Sequence, residues 1–118
     1  MPSMPTLAIV WHSRTGAAEA LATAAAEGAR ASGSVNVALL AAADATLEQL
    51  LAASGYLFVA PENLGALSGA MKEMFDRAYY PLLGRIEGRP YASLIAAGSD
   101  GHGAQRQLER IVTGVERA

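Results

Sequence analysis

Cysteine is absent from this 118-residue chain, which removes disulfides, thiolate metal sites and cysteine nucleophiles together. Histidine is scarce, and two of them cannot build a zinc site without carboxylate help. Charged residues make up only 17% and the formal net charge is −2, with no Lys/Arg cluster, which argues against duplex nucleic acid as a partner. Long apolar runs are also missing. The opening MPSMPTLAIVW has no basic lead, and Trp11 and His12 break its apolar run, so it reads as neither signal peptide nor membrane span. The expected class is a soluble cytoplasmic protein. No Walker motif occurs, and Gly98–Gly103 is not Gly-x-Gly-x-x-Gly, which sets aside NTPase and NAD-type Rossmann readings. Ser13, His102 and Asp100 fall near one sheet edge, yet no nucleophile elbow accompanies them, and no paired carboxylates suggest acid–base work.

What is present is a globular balance, 52% hydrophobic in 12.2 kDa, enough for one core and one domain over residues 1–118. Four apolar runs alternate with four helical patterns, the signature of a parallel sheet wrapped by helices. Thr6 to Trp11, Tyr56 to Ala60 and Tyr91 to Ala97 are continuous runs suited to strands covered on both faces. Val35, Val37 and Leu39 alternate with smaller or polar residues and suit an edge strand. In the first helix Ala17, Leu21, Ala24 and Gly28 form a small-residue stripe for close approach to the sheet. Thr46 with Gln49 spells a capping box for a short second helix. Ser68 suits the cap of the third, whose Met71, Met74, Phe75 and Ala78 face inward while Lys72, Glu73, Asp76 and Arg77 face water. Ala104, Leu108, Ile111, Val112 and Val115 make the apolar stripe of the fourth. With right-handed crossovers, the expected sheet is parallel in the order 2-1-3-4.

Three polar, glycine-bearing segments follow the carboxyl ends of strands: Trp11–Gly16, Pro61–Gly65 and Gly98–Gly103. In an open α/β sheet that edge is where ligands bind. The first segment, TLAIVWHSRTG, runs a strand into a Ser-x-Thr-Gly turn and then a helix. A helix start leaves N–H groups unpartnered and carries the positive end of the dipole, so it favours an anion. Ser13 and Thr15 add hydroxyl donors, Gly16 permits close backbone approach, and no acidic residue lies between Leu7 and Ala18. The same residues also suit an ordinary strand–helix connection.

Taken together, the three loops resemble the flavodoxin-like family, including flavodoxins and NAD(P)H-dependent FMN or quinone reductases. HSRTGAAEA resembles the family's phosphate loop, usually Ser/Thr-x-Thr-Gly-Asn-Thr. APENLGALSGAMKEMFDR is similar to the reductase segment in which Pro-x-x-Phe-Gly precedes a helix with a Lys-x-Phe-hydrophobic-Asp core. AAGSDGHGAQRQLERI resembles the glycine-rich segment beside the flavin ring. The resemblance covers about residues 5 to 115. It implies that Ser13, Thr15 and Gly16, with the amides of Ala17 and Ala18, hold the FMN phosphate, with Arg14 adding charge nearby. It implies that Pro61, Glu62, Asn63, Leu64 and Gly65 border the isoalloxazine on one edge, and Ser99, Asp100, Gly101, His102 and Gly103 on the other. No metal is needed, because the reactive chemistry belongs to the cofactor. The implied function is an FMN-binding oxidoreductase passing reducing equivalents from NAD(P)H to a flavin or quinone acceptor. A flavodoxin-type electron carrier, or a binding or structural module that has lost FMN, is the alternative. Flavodoxin carriers tend to be strongly acidic, and a net charge of −2 gives little steering field.

The chain departs from the family at several points. Ala17 and Ala18 stand where the phosphate loop often has Asn-Thr, and each missing charge-assisted hydrogen bond is worth about 1.5–3 kcal/mol. Leu64 replaces a ring-packing aromatic. A fifth strand and helix are expected to be absent, so either the chain is C-terminally incomplete or a partner covers the edge of the fourth strand. Tyr79, Tyr80 and Pro81, at the end of the third helix, offer aromatic surface for a subunit contact, and a homodimer is expected. His102 suits either a contact to the flavin or a hydride donor, or a solvated turn; Asp100 reads first as a turn former and His12 as a solvent-facing turn residue. Trp11 suits either a ligand flank or strand-end packing.

Overall fold

A computed structural model describes residues 4–97 and 101–117. The element order is β1 (Thr6–Trp11), α1 (Ala17–Ser32), β2 (Asn36–Ala41), α2 (Leu47–Ala52), β3 (Gly55–Asn63), β4 (Ala66–Leu67), α3 (Gly69–Leu82), β5 (Tyr91–Ala96) and α4 (His102–Arg117). β1 lies at the centre because it is apolar on both faces, with Ala8, Ile9 and Val10 fully buried. It pairs in parallel with β2, Thr6 opposite Asn36, and with β3, Leu7 opposite Gly55. β3 pairs in parallel with β5 from Tyr56–Tyr91 to Pro61–Ala96. The parallel order is therefore β2-β1-β3-β5, with β2 at one edge.

The expectation that a fifth strand is absent is corrected here: the sheet has five strands. The expected fourth is β5, and the fifth is the short β4. β3 does not stop at Ala60 but continues through Pro61 to Asn63, and β4 folds back antiparallel, pairing Glu62 with Leu67 and Asn63 with Ala66. The two linking residues, Leu64 and Gly65, both hold positive φ, 50° and 76°. A two-residue hairpin loop demands that twist. Pro61 lies two residues past Val59, the last residue of β3 paired with β1, so its missing N–H breaks no bond of that ladder.

The two faces are covered unequally. Ala8, Val10, Tyr56, Phe58 and Ala60 face α2, α3 and α4 through Leu50, Met71, Met74, Phe75, Ala78, Leu108 and Val112. Phe58 meets Phe75 in a tilted pair with centroids 5.0 Å apart. On the opposite face Ile9 and Val59 pack against α1 through Ala18, Ala22 and Ala26. The stripe of α1 is thus one residue removed from the expected Ala17, Leu21, Ala24 and Gly28, and Leu21 is exposed. In a helix built largely of alanine neither face is marked by size, so contact with the sheet sets the rotation.

Three smaller expectations resolve locally. Thr46 and Gln49 form a reciprocal capping box, Gln49 N–H to Thr46 Oγ1 at 3.2 Å and Thr46 N–H to Gln49 Oε1 at 2.9 Å. Ser68 occupies the cap position of α3, but its side chain makes no capping bond, and its Oγ is buried without a partner. Arg77 does not merely face water: it donates to the carbonyls of Ala45 at 2.6 Å and Ala42 at 3.0 Å, tying α3 to the loop after β2. α3 also runs through Tyr80 and Pro81 to Leu82, so the aromatic corner lies within the helix.

Candidate functional site

The carboxyl ends of β1, β3 and β5 open onto a cleft of about 440 Å³, within the range of roughly 300–1,000 Å³ typical of small-molecule sites. Its first wall is the β1–α1 loop, with Ser13, Arg14, Thr15, Ala17 and Ala18. Its second is the end of β3, with Pro61, Glu62 and Asn63, and its floor is Ala96 and Ala97 at the end of β5.

The first wall has the geometry of an anion cradle. Gly16 is the cap residue of α1 at φ 100°, a conformation that side chains resist, and a Cβ there would meet nothing within 4 Å. The place a side chain would take at Gly16 is therefore open, and glycine serves conformation rather than clearance. Ser13 Oγ accepts the Gly16 N–H at 2.9 Å, which shapes the turn and leaves the hydroxyl proton free to donate. Gly16 gives α1 no side-chain cap, so the first N–H groups of the helix remain directed at the cleft. Arg14 is exposed at the rim and is the one cation lining the cleft among the described residues. Trp11 packs on the α1 face of the sheet, which places it under the cradle rather than in the cleft. His12 is only half-buried, but its Nδ1 is buried without a partner, and its N–H continues the ladder to the Val59 carbonyl at 3.0 Å.

The second and third segments are joined to each other. Glu62 Oε2 accepts the N–H of Ala104, in the first turn of α4, at 3.1 Å. Gln107 Oε1 accepts the N–H of Leu67 at 2.8 Å. A Cβ on Gly103 would collide with the carbonyl oxygen of Gly65, so the hairpin turn rests directly on α4. Gly101 is buried at φ 72°, with Ile95 and Ala97 beside it. Leu64 projects from the hairpin tip, fully exposed, and His102 is exposed at the start of α4. Leu64, Gly65, Gly101, His102 and Gly103 thus stand around the hairpin–helix junction, outside the cleft lining. Ser99 and Asp100 lie outside the described residues. Ala96 and Ala97 were not singled out in the sequence, because alanine at a strand end carries no chemical signal. The Glu62–Ala104 bond spans 42 positions and had no local signature. Among the described residues no group of three His, Cys, Asp or Glu could hold a metal ion.

With this geometry in place, the chain can be compared with known proteins. The NADPH-dependent FMN reductase family matches residues 37–117, more than half of the chain. The chain belongs to that family. A curated flavodoxin from Aquifex aeolicus is 32% identical over 110 residues, covering 93% of this chain and 60% of that protein. The chain therefore spans three fifths of that relative's length. Among solved structures, a flavodoxin from Pseudomonas aeruginosa superposes with a TM-score of 0.80 at 21% identity, covering 94% of this chain and 76% of the other. A flavodoxin, WrbA-like protein from Agrobacterium tumefaciens gives a TM-score of 0.76 at 20% identity, covering 95% and 74%. At such identities the structures establish the flavodoxin-like fold. The family match establishes descent for the segment from β2 to α4, which includes the hairpin and the first turn of α4. The β1–α1 cradle lies before it and stands on its own geometry.

Proposed function

We propose that this chain binds FMN in the cleft and serves as a flavin redox domain, of which the electron-carrier role borne by its flavodoxin relatives is the leading form. The observation that carries the reading is the helix start at Gly16, which has no side-chain cap, with the Ser13 hydroxyl already oriented beside it. A phosphate dianion is the ligand part that such a cradle suits, through backbone N–H groups, Ser13, Thr15 and the Arg14 charge. FMN, when bound, supplies the redox chemistry; the protein supplies phosphate anchorage, orientation and exclusion of water. Pro61, Asn63 and Ala96 give the rest of the cleft a mixed apolar and amide lining, suited to a flat ring with polar edges.

Reduction by NADPH, with a free flavin or quinone as acceptor, is the second reading, and the description of the matched family favours it. A modest net charge also gives little field for steering a protein partner. One titration tests the shared core of both readings: added FMN loses fluorescence on binding, and Ser13→Ala with Thr15→Ala weakens the binding. Tight binding indifferent to both substitutions removes the phosphate assignment. Anaerobic addition of NADPH or NADH to the loaded protein then separates the two. Bleaching of the flavin supports the reductase, and persistence of its colour supports the carrier.

A further inference from the structure

We infer that Glu62 is a positioning residue that locks the β3–β4 hairpin to α4, so that the two segments flanking the cleft act as one wall. The inference rests on the FMN reading of the cleft. Glu62 lies at the cleft margin, yet its Oε2 turns to the Ala104 N–H at 3.1 Å. There a carboxylate meets an amide of the first helical turn and the positive end of the α4 dipole, an environment that favours a charge-assisted bond. The charge is thereby turned towards α4. The other helix start at this edge, that of α1, keeps its anion-binding capacity for a ligand. Without that arrangement, a free carboxylate on the cleft wall would oppose a dianion bound to the facing loop.

Two further contacts make the junction a unit rather than a single bond. Gln107 holds Leu67 from the second turn of α4, and Gly103 lets the Gly65 carbonyl lie against the helix. The hairpin itself has only two residue pairs, Glu62–Leu67 and Asn63–Ala66, too few to hold its own conformation in water. Its turn also contains a leucine at positive φ, a position a β-carbon resists. Its shape therefore depends on α4, and Glu62 is, among the described residues, the one whose side chain both bonds to α4 and lines the cleft.

The test uses the full chain as wild type, Glu62→Gln and Glu62→Ala, with FMN and riboflavin as probes. Amide hydrogen exchange reads the junction without any ligand. In Glu62→Ala the Ala104 amide is expected to exchange faster, with that of Leu67 following, while Glu62→Gln, which keeps a carbonyl acceptor, retains most of the protection. FMN and riboflavin affinities are expected to fall together in Glu62→Ala, by about tenfold, leaving their ratio unchanged. The glutamine variant recovers most of both, and the midpoint of urea unfolding shows that each variant remains folded. Damage to the phosphate loop would instead change the ratio. Unchanged Ala104 exchange in Glu62→Ala overturns the lock. Faster exchange with unchanged flavin affinity overturns the positioning role. Failure of the wild type to bind FMN overturns the reading of the cleft and the positioning role with it, while exchange still measures the lock itself.

Discussion

Gly16 shows how much one residue decides at this edge. Its φ of 100° turns the chain from β1 into α1, and the empty space beyond it means that a substitution there meets strain without collision. Gly16→Ala should lower stability by about 1–2 kcal/mol from the left-handed penalty, read as a lower urea midpoint with an unchanged slope. A larger loss would mean that the added methyl is also clashing. Arg77 is the second residue whose loss is felt. Its guanidinium serves the carbonyls of Ala42 and Ala45 at once and pairs with Glu73 on the exposed side. Arg77→Ala strands two partly buried acceptors and should cost about 1–3 kcal/mol. Arg77→Lys should recover only part of that, since an ammonium lacks the planar fork that reaches both carbonyls. Full recovery by lysine would show that charge alone matters. The sequence pattern placed Arg77 on the wet face of α3 correctly by period, but period says nothing of a long side chain that reaches back over its own helix to a neighbouring loop.

At the scale of elements, the α2 capping box and the α4 junction make different demands. α2 has six residues and cannot stand on propensity, so its start is fixed by the Thr46–Gln49 exchange and by Leu50 in the core. Thr46→Ala should cost about 1 kcal/mol, and thermal melting of that variant, Arg77→Ala and the double variant should show non-additive losses, since Arg77 holds the Ala45 carbonyl of the same peptide unit whose N–H, that of Thr46, closes the capping box. Gly103→Ala attacks the junction by force: its methyl would have to displace the Gly65 carbonyl, and the hairpin should come away from α4. Faster exchange at Leu67, with the protection of β1 unchanged, is the expected signature. Capping boxes and continuous apolar strands were legible because their signals are local. The β3–β4 hairpin was not, because its turn is Leu-Gly rather than Asn-Gly and its support comes from a helix some forty residues later. The face of α1 was not legible either, because a row of alanines has no wet and dry sides until a sheet chooses one.

At the scale of the molecule, the two sheet faces and the β5 edge raise the question of what covers them. Three helices pack on one face, whereas α1 is the one helix contributing buried residues to the cluster on the other, among the described residues. There Leu94 is 38% exposed and Leu57 only partly covered. β5 bonds to β3 along one side, and its six residues, YASLIA, carry no charge, proline or bulge to discourage pairing along the other. Edges left in this state associate. The parallel order was readable from four runs and the right-handed crossover rule, but the imbalance between faces was not, because the number of helices does not say which side each takes. Tested as the isolated 118-residue polypeptide, the protein is expected to form a homodimer through β5 and the adjoining Leu57–Leu94 surface, burying the apolar strip and pairing the β5 backbone groups that face away from β3. Light scattering against concentration should give twice the 12.2 kDa mass. Leu94→Lys, which places a charge on that strip while leaving the β3–β5 ladder intact, should return the protein to a monomer. Its FMN affinity should be unaffected, since Leu94 does not line the cleft. A wild type that stays monomeric at every concentration removes the dimer. A dimer that survives Leu94→Lys moves the contact elsewhere, and the exposed Tyr80 beside Tyr79 on α3 is then the surface to substitute next.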